Sequence, residues 1–167
     1  MKKLLAPLAA ALLIAPGAAL AAPESGHGIR GWGPRVGLAS DPDQLVAGIH
    51  VDAGRLASRV RFQPDAEVAV GDDVLILSFS APVHYRFPVK GDIHPYAGGG
   101  VTVGYVDVDV PDRVDGHGVD DDDVNFAIDI LGGLEWQLHS GNLFFVEFDI
   151  LAGDLQDFEL VAGWTFR

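Results

Sequence analysis

Three groups of residues in this sequence are of types that do chemistry. Ser78, Ser80 and His84 share one face of the stretch Leu75–Phe87, with acidic residues on the neighbouring stretches. Such a set supplies the parts of an activated nucleophile: a hydroxyl, an imidazole base and a carboxylate to orient it. Serine and histidine are also ordinary interior polar residues, no nucleophile motif surrounds these, and geometry rather than composition defines a triad. No catalytic residue is therefore assigned. His50 and Asp52, two apart on one face, are ligand types for a metal, but a histidine paired with a polar neighbour is the simpler expectation. The third group lies in the acidic segment Asp107–Asp123, where Asp115, His117, Asp120, Asp121, Asp122 and Asp123 are candidate ligands for calcium or magnesium. Hard divalent cations take carboxylate oxygens. The spacing is not that of an EF-hand, and a run of like charge ordinarily forms a solvated loop. No metal site is assigned and no cofactor is expected. Gly98, Gly99, Gly100 and Gly104 resemble a phosphate loop only superficially, because no helical pattern follows them. Glycine within a strand more often marks a bend or close packing.

The elements that would position these groups alternate with a period of two, the mark of strands with one apolar and one polar face. The clearest lie between Val124 and Arg167. There Phe126, Ile128, Ile130, Leu134, Trp136 and Leu138 oppose Asp129, Glu135 and Gln137. Phe144, Val146, Phe148 and Ile150 then oppose Glu147 and Asp149, and Phe158, Leu160, Ala162, Trp164 and Phe166 oppose Glu159, Thr165 and Arg167. Five further segments precede them. They start at Trp32, at Gln44 with a turn at Gly54-Arg55, at Arg59, at Leu75 with a turn at Pro88–Asp92, and at Pro95, whose polar face carries Tyr96 and Thr102. The count is eight antiparallel strands joined in sequence. Their length matches the roughly nine to eleven residues that a strand needs to cross a bilayer. Pro64 and Pro82 fall inside two of them, where a bulge or a position beyond the hydrocarbon band is expected.

Composition sets the outer bounds. Lys2 and Lys3, an apolar run from Leu4 to Leu20 and the site Ala19-Leu20-Ala21 read as a secretory signal peptide over residues 1–21. A polar, flexible lead-in is expected over residues 22–31 and one barrel domain over 32–167. The net charge of −13 becomes −15 once the two signal lysines are gone. That excludes nucleic acid, whose phosphates demand a basic face. The chain has no cysteine, so neither a disulfide framework nor thiolate chemistry is available.

An even number of antiparallel strands in simple order predicts an up-and-down barrel, which has no unpaired edge. Its apolar face could point inward, as in a secreted or periplasmic lipocalin-like barrel around a small apolar ligand, or outward against lipid. Three features favour lipid. All aromatics but Tyr96 and Phe145 lie on the apolar face, and Trp32, Tyr85, Phe87, Tyr105, Phe126, Trp136, Phe144, Phe158, Trp164 and Phe166 cluster near strand ends, as headgroup-level girdles do. The long connection falls after strand five, while those after strands two, four and six are short. The polar face carries Arg35, Arg59, Arg61 and Arg86 with Asp52, Asp129, Glu135, Glu147, Asp149 and Glu159, which can pair across a lumen. Arg59, Arg61 and Arg86 are expected to meet Glu135, Glu147, Asp149 and Glu159 from the opposite wall.

Over Trp32–Arg167, and most closely in PYAGGGVTVGY, DILGGLEWQL and DFELVAGWTF, the sequence resembles the small eight-stranded, porin-like outer-membrane β-barrel family of Gram-negative bacteria. Members commonly end on an aromatic strand whose final phenylalanine is read by the barrel-assembly machinery. Trp164 and Phe166 match that pattern, with Arg167 standing after the aromatic. The resemblance implies an all-β transmembrane barrel, monomeric, in contact with outer-membrane lipid and lipopolysaccharide. It is non-enzymatic in the main reading, with a lumen filled by polar side chains and at most a narrow pore. Since some barrel enzymes trim lipid A with Ser/His/acid sets, a hydrolase is the minor alternative.

Overall fold

A sheet of alternating strands ends in two edges whose backbone groups need partners, and here the two edges find each other. The computed structural model describes residues 27–40, 43–71, 74–108, 123–153, 155 and 158–167. They form ten strand segments: β1 (His27–Ser40), β2 (Gln44–Ala57), β3 (Val60–Phe62), β4 (Asp65–Gly71), β5 (Val74–Ser80), β6 (Val83–Arg86), β7 (Ile93–Val108), β8 (Asp123–Gln137), β9 (Leu143–Gly153) and β10 (Phe158–Thr165). Every pairing is antiparallel, and β1 pairs with both β2 and β10, which closes the sheet. β3 and β4 share one position in the ring, and β5 and β6 share the next. The barrel therefore has eight staves in chain order.

The two prolines make ten segments out of eight staves. Proline has no N–H to give to a ladder. Between Phe62↔Val83 and Asp65↔Ser80 the ladder lapses without a slip in register, so no bulge forms between these two staves. One bond crosses the gap, from the Gln63 N–H to the Pro82 carbonyl, and on the other side of the same stave the Val51 N–H of β2 donates to the Pro64 carbonyl. The irregularity appears instead on β2, whose register against β3 shifts between Arg55 and Ala57, just past Gly54 with its φ of 100°. Accordingly, the turn expected at Gly54-Arg55 lies at Ser58–Arg59. β1 begins at His27, so residues 27–31 of the expected lead-in belong to a strand.

Orientation follows from which side chains are covered. Phe126, Ile130, Leu45 and Leu38 point outward, each more than 60% exposed, while Arg35, Asp52, Glu135 and Glu147 are buried inside. The lipocalin-like arrangement, with an apolar pocket inside, is not what forms. Rings meet in a band at the short-turn end: Trp136 with Phe144, Phe144 with Trp164, Trp32 with Phe166 and Tyr85 with Phe87. The other end carries Phe126 and Phe158 on its outward face, and Phe158 stacks on Phe148, which lies opposite Gly132 nearer the middle of the wall. Phe126 and Trp136 on β8 are about 33 Å apart along the strand at roughly 3.3 Å per residue. With a tilt of about 40° that becomes roughly 25 Å of barrel height, the height of an apolar belt in a bilayer.

Candidate functional site

Inward positions of an eight-stranded barrel face a space that side chains can fill. At the end that carries the long connection the filling is apolar, with Ala39, Val46, Ala69, Ile76, Ala127, Leu151 and Leu155 packed together. The alternation pattern predicts a polar inward face and gives no expectation of this layer. The signal for it was Val46, Ile76 and Leu151 standing at inward parity.

Below it lies an ionic layer centred on Arg35. Its guanidinium meets Glu67 at 2.5 Å, Glu147 at 3.2 Å, Asp65 at 3.3 Å, Glu159 at 3.6 Å and Asp149 at 3.9 Å. Five carboxylates from β4, β9 and β10 thus surround one cation from β1. The cavity beside them measures only about 20 Å³. The acids expected to pair with arginines of strands three and four go instead to Arg35, because β1 adjoins β10 while β3 and β6 end far down the barrel. Glu135 alone keeps the expected partners, with Arg61 at 2.7 Å and Arg86 at 3.2 Å. Arg59 is not in the lumen: it occupies the Ser58–Arg59 turn, exposed, with its Nη1 donating to the Tyr85 hydroxyl at 3.5 Å.

An aromatic layer follows. Tyr96 and Phe145, the two rings assigned to the polar face, are both buried. His84 stacks on Tyr96 with ring centres 5.0 Å apart, and His50 meets Phe145 edge-on at 5.1 Å. His50 Nε2 is hydrogen-bonded to the Thr165 hydroxyl at 2.9 Å. Asp52 accepts from the Gly54 N–H at 3.1 Å and pairs with Arg167 at 3.0 Å. His50 and Asp52 therefore have separate partners. Neither ring nitrogen of His84 has a hydrogen bond among the described residues, and Glu147 lies 3.7 Å from its Nε2. Thr102 donates to Ser80 at 2.9 Å, and Ser78 lines the small cavity beside Arg35. Ser78, Ser80 and His84 share the inner wall without the serine–histidine contact that a triad requires.

At the short-turn end the barrel opens into a vestibule of about 490 Å³ lined by Arg30, Arg55, Arg59, Arg61, Arg86 and Arg167, with His84 in its wall. The sequence sets Arg167 on the polar face of the last strand and just after the aromatic ending, without a partner for it. Its side chain instead reaches the buried Asp52, and its N–H donates to Asn142. Of the candidate metal ligands, Asp115, His117, Asp120, Asp121 and Asp122 lie outside the described residues, and Asp123 opens β8.

No protein-family model and no curated protein matches the sequence. Solved structures do match in fold. Neisserial surface protein A is 16% identical with a TM-score of 0.58, covering 81% of this chain and 93% of its own. The N-terminal β-barrel domain of Pseudomonas aeruginosa OprF is 18% identical with a TM-score of 0.59, covering 83% and 95%. Ail, the attachment invasion locus protein of Yersinia pestis, is 11% identical with a TM-score of 0.50, covering 85% and 95%. Closure in chain order, ionic groups inside and an apolar, aromatic-banded exterior give this chain the fold of the small eight-stranded outer-membrane β-barrels.

Proposed function

We propose that this chain is an integral outer-membrane protein, exported by a signal peptide that is cleaved after Ala21. In this reading it acts through its surface or its presence rather than by catalysis or bulk transport. Its lumen is plugged and conducts at most through a narrow path. The observation that carries the reading is the Arg35 layer, where one guanidinium draws five carboxylates from three other strands across the barrel. Buried charges become tolerable when they pair, and pairing across the lumen also occupies it. The apolar layer around Leu155 supports a second closure at the long-connection end. The connections are short after β2, β6 and β8, whereas Val108 and Asp123 bracket a long one. Barrels with short periplasmic turns and long external loops place the first set inside the cell envelope. Surface roles also fit the names of Neisserial surface protein A and the Yersinia attachment invasion protein, although folds of this kind host several functions.

Planar-bilayer recording tests the plug. Purified monomer is expected to give silence or rare small events, and large, stable, ohmic channels would sink the proposal. Carbonate washing of membranes tests localisation: the protein should stay with the outer-membrane fraction, and release into the wash would refute integral insertion.

A further inference from the structure

All the described arginines except Arg35 gather at one end of the barrel. Six of its eleven basic residues line the short-turn vestibule, in a protein whose net charge is −13. Two buried carboxylates answer them. Asp52 takes Arg167 at 3.0 Å and Arg61 at 3.8 Å, and Glu135 takes Arg61 at 2.7 Å and Arg86 at 3.2 Å. Arg55 and Arg59 have no carboxylate partner among the described residues; Arg59 reaches only the Tyr85 hydroxyl. His84, 1% exposed, lines the same space with neither ring nitrogen hydrogen-bonded among the described residues. The Arg86 Nε and Arg61 Nε are likewise buried there without a hydrogen bond. A buried donor without a partner is costly, and here several border one cavity.

Like charges that converge on a low-dielectric cavity repel unless an anion joins them. The cavity, about 490 Å³, lies within the roughly 300–1,000 Å³ typical of small-molecule sites. Guanidinium forks match phosphate oxygens two at a time, and all the fixed cations lining this space are arginine. We infer that the vestibule is a binding site for a phosphate group, held by Arg55, Arg59 and Arg86 at the mouth with Arg61 and His84 deeper in. Two sources carry that chemistry: a soluble phosphate, or the headgroup of an anionic phospholipid whose acyl chains run along the barrel exterior past Phe87 and Val89, both exposed beside the mouth. Binding itself does not depend on which compartment the mouth faces.

The test uses the full chain refolded in neutral detergent, with calorimetric titration of inorganic phosphate, and the same chain in phosphatidylcholine nanodiscs with and without phosphatidic acid. Saturable uptake of one inorganic phosphate supports the site with a soluble source. Saturable uptake of phosphatidic acid alone supports it with a lipid source. The double variant Arg55→Gln/Arg59→Gln should weaken the observed binding at least tenfold. Both side chains are exposed and without a carboxylate partner among the described residues, so the barrel should stay folded by circular dichroism. Lys90→Gln, at the same end but outside the vestibule lining, should leave binding unchanged. No saturable binding of either probe overturns the inference, and so does binding that the double variant leaves intact or that Lys90→Gln weakens as much.

Discussion

The ring of Phe145 occupies the space that a side chain on Gly163 would take, directly across the β9–β10 ladder. Tyr96 covers Gly133 in the same way across β7 and β8. A large ring inside so narrow a barrel needs a bare backbone opposite, and a glycine in a strand gains cover from an aromatic laid over it. The two pairs help to build the layer that separates the Arg35 cluster from the arginine vestibule.

Gly163→Ala should therefore destabilise the barrel by about 1–3 kcal/mol, the cost of overpacking a filled interior. Gly132→Ala is the matched control, because its new methyl group meets only the Tyr96 carbonyl oxygen at 3.9 Å. Urea unfolding in lipid vesicles compares them. Equal midpoints would mean that the Phe145 ring moves aside freely.

Much of this architecture is legible in the sequence because β-strand parity is binary. Once Ile128 and Ile130 point one way, Asp129 must point the other, and the structure follows that rule around the whole ring. Partner choice is less legible, since parity places Arg35 and Glu147 on one inner wall but says nothing of their height. Height depends on stagger between strands, and stagger depends on turns such as Ser58–Arg59, which lies past the stronger turn signal of Gly54. The vestibule was hidden for the same reason. Arg30, Arg55 and Arg167 are far apart in sequence and come together only when β1, β2 and β10 are aligned at one end.

Arginine placed at Ile130 or Phe148 should cost roughly 2–4 kcal/mol if those positions lie near the bilayer midplane. Both side chains are exposed on the apolar exterior. Gln137 has inward parity at the very end of β8 and is exposed, so Gln137→Arg should cost much less. Refolding into bilayers ranks the three. Indistinguishable stabilities would contradict an apolar face turned to lipid.

The mature chain should begin near Ala22, because an Ala-x-Ala site ends the apolar leader. Intact-mass spectrometry of protein extracted from membranes reads this directly. Retention of Met1 in the inserted form would refute cleavage.

Arg35 should be the least replaceable side chain in the barrel. Its guanidinium is the one cation within 4 Å of Asp65, Glu67 and Asp149 among the described ion pairs. Arg35→Ala leaves those carboxylates and Glu147 facing one another inside the wall, and removing one member of a buried charged group typically costs about 3–5 kcal/mol. The reverse change should behave differently, because acid is in excess here. Asp149→Asn keeps the shape, removes one negative charge and gives up only the 3.9 Å contact, so it should be neutral or stabilising. Unfolding midpoints of the two variants at neutral pH decide between accounts. A large loss for Arg35→Ala beside no loss for Asp149→Asn supports a cluster governed by its total charge. Comparable losses would mean that each ion pair contributes separately, and the excess of carboxylate would then need a different explanation.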